Sequence, residues 1–282
     1  MQALRSRAVL GIRKPPHART RCLVLATASA AALTTSGVGA AGPATGAAVF
    51  NPCIGSRAER LRCPDLTMRR PFDLYIERAG SRRRLHAGNA ILNRGRGPLD
   101  ILAMRRGSSM RVTQRIYDFS GSILNLPSPR ARVVFKNIPG GPGAGRFWKF
   151  KDAAEFQLWT LDSSGRRQRL VRRGAKQVYC LRDLVRVSGY ARSPGGPVYG
   201  ACSQDGGARR VVLGASVGWA DRYPSDYYQQ WIDVTGLRGR FLFVQVADPR
   251  NLLAESDETN NESKVVVSLP SGVPSGSSGG EY

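Results

Sequence analysis

Histidine is almost missing from this 282-residue chain, which carries only His17 and His86. Two imidazoles exclude any centre built from three of them, and neither a Ser-His-Asp arrangement, a P-loop nor a dinucleotide fingerprint is present. Long apolar runs are missing too. No stretch reaches the roughly 20 apolar residues that a helix needs to cross a bilayer, so no membrane span is expected. No segment sustains a period of 3.6, which argues against a helical domain. Acidic charge is scarce, with 20 Asp and Glu against 43 Lys and Arg and a formal net charge of +23.

The N-terminus has a pattern of its own. Arg5, Arg7, Arg13, Lys14, Arg19 and Arg21 are followed by an apolar or small run from Cys22 to Leu33 that ends in Val38-Gly39-Ala40-Ala41. A basic region, a short apolar region and small residues predict a secretory signal peptide over residues 1–40, cleaved near Ala40 or Ala41; the alternative is a merely basic tail. Export implies a secreted, extracellular or cell-envelope protein. Removing the leader lowers the formal charge from +23 to +17, since it holds six basic residues and no acid. A surface of that sign suits anionic cell-wall polymer, polysaccharide or lipid headgroups. An extracellular protein partner fits as well, and nucleic acid is not expected outside the cell. The plainer alternative is a basic soluble surface with no specific ligand.

Cysteine usage agrees with export. Cys22 leaves with the leader, and Cys53, Cys63, Cys180 and Cys202 remain. Even parity outside the cell predicts two bridges. Three pairings are possible, and the short separations favour Cys53 with Cys63 and Cys180 with Cys202, the second loop contributing about 3 kcal/mol.

Frequent Gly and Pro separate short alternating runs, a pattern of strands and turns. Strands are expected at 72–78, 84–93, 99–103, 110–117, 155–162, 178–181, 230–235, 240–246 and 264–269. Both faces of 241–246 are apolar, which marks a central strand. Turns are expected at 93–98, at 139–145 and at Asp162-Ser163-Ser164-Gly165. The fold expected is an all-β antiparallel sandwich of two sheets with long loops, tied by disulfides. It would occupy residues 66–269, after an extension at 41–65 and before a disordered Ser/Gly/Pro tail at 270–282.

Three patches carry a family resemblance. The first is Asn89-Ala90-Ile91-Leu92-Asn93 with Gly95, Gly97-Pro98-Leu99 and Gln114-Arg115-Ile116-Tyr117. The second is Phe147-Trp148-Lys149-Phe150-Lys151-Asp152, Phe156-Gln157-Leu158-Trp159 and Lys176-Gln177-Val178-Tyr179-Cys180-Leu181. The third is Gly218-Trp219-Ala220-Asp221-Arg222-Tyr223, Gln230-Trp231-Ile232-Asp233-Val234-Thr235-Gly236-Leu237 and Glu255-Ser256-Asp257-Glu258-Thr259-Asn260-Asn261. In that order they resemble the lysyl oxidase family, especially its bacterial secreted members. The resemblance implies a copper-dependent oxidase that turns primary amines into aldehydes with a quinone built from one lysine and one tyrosine. By motif position those precursors are Lys176 and Tyr223; their plain alternatives are a surface lysine and a core tyrosine.

The metal positions depart from the family. Its copper is held by three histidines at alternate positions on one strand, and these align with Gly145, Phe147 and Lys149, or with Lys151 in a one-residue shift. With His17 gone, His86 is the only imidazole left, and a structural role suits it better than ligation. Met68, Met104 and Met110 show no ligand spacing. The expectation is a lysyl-oxidase-like domain without activity and without cofactor, serving as a binding or scaffold module. The alternatives are a copper amine oxidase with substitute ligands, retaining copper and lysyl tyrosylquinone, and a basic binder of anionic wall polymer. Lys149 and Lys151 near Arg146 suggest an anion site, against a plain reading as a solvated basic edge strand. The run Glu255 to Asn261 suggests calcium carboxylates, against a turn joining the last two strands.

Overall fold

A computed structural model describes residues 50–270. The signal peptide expected at 1–40 and the tail from 271 lie outside the described residues. The strands, in chain order, begin with β1 (Leu61–Arg62), β2 (Leu66–Met68), β3 (Phe72–Ala79), β4 (Arg82–Asn93), β5 (Leu99–Arg106) and β6 (Ser109–Asp118). Next come β7 (Ile123–Ile138), β8 (Gly145–Lys151), β9 (Ala154–Leu161), β10 (Arg167–Arg173), β11 (Val178–Tyr179) and β12 (Val185–Arg186). The last are β13 (Arg210–Ala215), β14 (Trp219–Tyr223), β15 (Trp231–Asp233), β16 (Gly239–Ala247) and β17 (Glu262–Leu269). The only helix among the described residues is a single 3-10 turn, Ala58–Arg60. No described helix is long and apolar enough to cross a membrane.

The all-β antiparallel class is confirmed, with three sheets in place of the two expected. One sheet runs β11-β8-β7-β6-β5-β13 with β1 added on β6; a second runs β10-β9-β16-β17. The third is organised on β4, with β2 and β14 pairing along its C-terminal half and β3 and β15 along its N-terminal half. Because β4 is buried over nine consecutive residues, Leu85 to Asn93, it serves two cores. Leu66, Ile91 and Tyr223 pack with Trp148, Phe150 and Ile101 of the large sheet. Leu85, Ala87 and Ile232 pack with Phe156, Phe243 and Val267 of the four-stranded sheet. As its two apolar faces predict, β16 is central, between β9 and β17.

The sequence pattern missed β7, its longest strand. Pro127 and Pro129 lie inside it, and a proline offers no N–H to a ladder. The strand absorbs them by an irregularity: its register with β6 jumps from Arg111↔Arg132 to Val112↔Ser128. The turn at Asp162 forms as expected, with Gly165 at φ +77 and the Asp162 N–H donating to the Arg166 carbonyl at 2.9 Å. Both expected disulfides are present, Cys53–Cys63 and Cys180–Cys202.

The acidic run does join β16 to β17, and its first carboxylate, Glu255, turns inward. Glu255 is fully buried, accepts from the Leu66 N–H and takes a second hydrogen bond, 3.0 Å, from Asn261 Nδ2. Asp248 at the start of the loop accepts from the Leu252 and Leu253 N–H groups at 3.0 and 2.8 Å. Gln114 clamps the middle, giving and receiving one hydrogen bond with Ala254, each 2.8 Å. Among the described residues no group of three His, Cys, Asp or Glu side chains is arranged to hold a metal.

Candidate functional site

The large sheet and the β4 sheet meet around Tyr223. It ends β14, where the ladder to β4 sets it opposite Asn89, and it is almost fully buried. Across from it, β11 carries Tyr179 and pairs with β8, the strand of Lys149. Just past β11 the chain turns at Leu181, whose φ of +54 lies in the left-handed region. That turn aims two successive N–H groups at the site. Cys180 donates to the Tyr223 hydroxyl at 2.7 Å and Leu181 to Asp221 Oδ2 at 3.0 Å. The Cys180–Cys202 bridge fixes the turn covalently, so the cystine also positions the tyrosine.

Lys176 lies two residues before β11, where the Gln177 carbonyl accepts from the Asp152 N–H at 2.6 Å. Its Nζ sits 3.8 Å from the Tyr223 ring centroid, 4.9 Å from that of Tyr179 and 5.7 Å from that of Tyr227. Tyr223 meets Tyr179 and Tyr227 edge to face at 5.0 and 5.6 Å. The two residues matched to the quinone precursors are therefore in contact, as neither plain alternative required.

Lys149 joins them from β8, with Nζ 5.7 Å from the Tyr223 ring and 5.5 Å from that of Phe147. Of the aligned metal positions, Phe147 and Lys149 thus face the site. Gly145 stands at the head of β8 with φ +137, a conformation that strains any L side chain. Lys151 is exposed, and Arg146 lies over the Phe135 ring at 5.0 Å. The expected basic edge strand is corrected: β8 has β7 on one side and β11 on the other, and Lys149 is buried.

Burial dominates the electrostatics. Desolvation holds the Lys176 amine well below the ordinary lysine range; neighbouring Lys149 lowers it further and Asp221 opposes. Lys149 is lowered for the same first reason. Desolvation raises the Tyr223 phenol well above its usual range, as the Asp221 charge also does. Asp221, fully buried, is pushed up to about 6, against the pull of Arg182, Lys149 and Lys176. Its Oδ1 and the Tyr179 hydroxyl are buried without a hydrogen-bond partner among the described residues. A desolvated cation–π contact returns about 2 kcal/mol, whereas removing an unpaired ammonium from water costs several. Burial therefore shifts Lys176 toward its neutral amine relative to a lysine in water.

His86 is elsewhere in its bonding. Nδ1 faces the Ser225 carbonyl at 3.0 Å, Nε2 faces Glu77 at 3.1 Å, and Tyr75 stacks on the ring at 4.7 Å. Both nitrogens are taken by oxygens, which is the structural role expected. The sequence reading gave no role to Asp221, Tyr179 or Tyr227. Asp221 and Tyr179 lay inside the quoted motifs, yet only folding shows that they adjoin Lys176.

A disulfide-tied, all-β domain that buries a lysine on the face of a tyrosine is the class this geometry defines. Residues 147–272 match the family model described as lysyl oxidase. The chain is also 31% identical over 160 residues to lysyl oxidase homolog 4 of Mus musculus, across 52% of this chain and 18% of that protein. Residues 147–272 are thus similar to the lysyl oxidase domain, and the chain spans less than a fifth of the length of this curated relative.

Proposed function

We propose that this is a secreted lysyl-oxidase-like domain that does not build the family's copper and quinone centre and serves as a binding or scaffold module at the cell envelope. The observation that carries the proposal is the donor set around Tyr223. By the family resemblance the copper positions fall on Gly145, Phe147 and Lys149, and Lys149 lies beside the Tyr223 and Phe147 rings. Glycine and a phenyl ring offer no lone pair, and a lysine amine offers one only after losing its proton, whereas copper calls for several imidazoles. The sole imidazole beyond the leader has both nitrogens facing Glu77 and Ser225. The residues do not fit copper, and a phenol without a metal is inert to oxygen. Lys176 and Tyr223 are then unmodified side chains, and two disulfides and an excess of positive charge suit an extracellular life beside anionic polymer.

A second reading, a copper amine oxidase with substitute ligands, is favoured by the 3.8 Å approach of Lys176 to the Tyr223 ring. Peptide mass mapping of the mature protein separates the two. Separate Lys176 and Tyr223 peptides are expected; a cross-linked pair, stoichiometric copper after reconstitution, or peroxide release from a primary amine would establish the oxidase instead.

A further inference from the structure

A narrow cleft reaches the buried lysines, lined by Lys149, Lys176, Ile138, Val178, Tyr227 and Gln229. Among the described residues no carboxylate lies within ion-pair distance of either amine, so neither has its lone pair committed to a partner by proton sharing. Lysine becomes a nucleophile at neutral pH when it is desolvated in an apolar pocket or set beside a second cation. Lys176 has both conditions: three tyrosine rings around Nζ and Lys149 as neighbour. Behind them lies Asp221, with one carboxylate oxygen free of hydrogen bonds.

We propose that Lys176 captures small aliphatic aldehydes reversibly as an imine. This rests on the reading above, because the amine must not be consumed in a quinone. The Nζ lone pair attacks the carbonyl carbon, the C–O π pair goes to oxygen and is protonated, and a carbinolamine results. Loss of the nitrogen proton and of that hydroxyl as water leaves the C=N bond. Aldehyde and amine give imine and water, with no change of oxidation state. Asp221, held near 6 by its burial, is a carboxyl group able to exchange the proton that departs with water. The cleft has about 10 Å³ of free volume, room for about one water-sized molecule, so among aldehydes it favours the smallest and uncharged.

The probe is formaldehyde with cyanoborohydride at pH 7, which fixes each imine as a methylated amine that peptide mass mapping assigns to its residue. A solvated lysine is neutral only ~0.04% of the time at that pH. Lys136, Lys151 and Lys264 are exposed and serve as internal references. Lys176 is expected to methylate at least about tenfold faster than these three in the folded full chain, and at their rate in urea. Equal or slower labelling of an intact Lys176 peptide in the folded protein would overturn the proposal while leaving the domain's proposed function standing. A Lys176 peptide found only joined to Tyr223 would overturn both. The pH profile of the labelling also reads the groups that face the amine, namely Lys149, Asp221, Tyr179, Tyr223 and Tyr227.

Discussion

Replacing Tyr223 by Phe removes one oxygen and little else. The ring keeps its edge contacts with Tyr179 and Tyr227 and its place under Lys176. What is lost is the acceptor of the Cys180 N–H at 2.7 Å, in a site that is almost fully buried. A buried donor left without a partner costs about 1–3 kcal/mol. In a domain of this size each kcal/mol moves the melting midpoint by roughly 2–4 °C. Tyr223→Phe is therefore expected to melt about 4–8 °C below the parent, for a central cost of about 2 kcal/mol. The assay is a thermal or guanidinium melt with both disulfides intact, since reduction would release the turn that supplies the donor. An unchanged midpoint would refute the account, because it would mean that the hydroxyl does not hold the Cys180 turn.

Acidity should act on the same site with a defined sign. Asp221 rises to about 6 on folding, so the folded state holds its proton more tightly than the unfolded chain; its stabilising effect is full below about pH 4 and is lost as pH climbs to about 6. Denaturant midpoints should fall across that window, on the order of 2–3 kcal/mol for this group, and Asp221→Asn should flatten the fall; a parent-like slope in the variant would count against it. Replacing Cys180 and Cys202 together by Ala should lower stability by about 3 kcal/mol, and a loss no larger than that of a surface substitution would show that the bridge does not anchor the turn. For the proposed envelope role, retention on an anionic polymer matrix should fall steeply between about 0.05 and 0.5 M salt as the Debye length shrinks; salt-independent retention would point to a different kind of contact.

The sequence disclosed the strands whose alternation is simple, such as β16 and β17, and the cystines, whose short loops leave little choice of partner. It hid β7 behind Pro127 and Pro129, and it hid β10 because Arg167, Arg169, Arg172 and Arg173 look like loop residues. That strand is an edge with few buried positions, so charge costs it nothing. Within the site, Lys176 and Tyr223 were legible only through a family motif. Their contact was not, because it joins residues 47 positions apart through a turn with a left-handed Leu181, a conformation no propensity rule assigns to leucine. Burial of Lys149 was likewise invisible: alternation on β8 gives its face, and only β11 and β14 together reveal that the face is covered.

The double duty of β4 has a mechanical consequence. One end of this strand seats Tyr223 opposite Asn89, and the other seats Trp231 opposite His86. A slip of a single residue would turn both ends inside out at once, because side chains alternate along a strand. The tyrosine pocket and the imidazole contact thus share one ruler, and neither can be re-spaced by evolution or by engineering without moving the marks that locate the other.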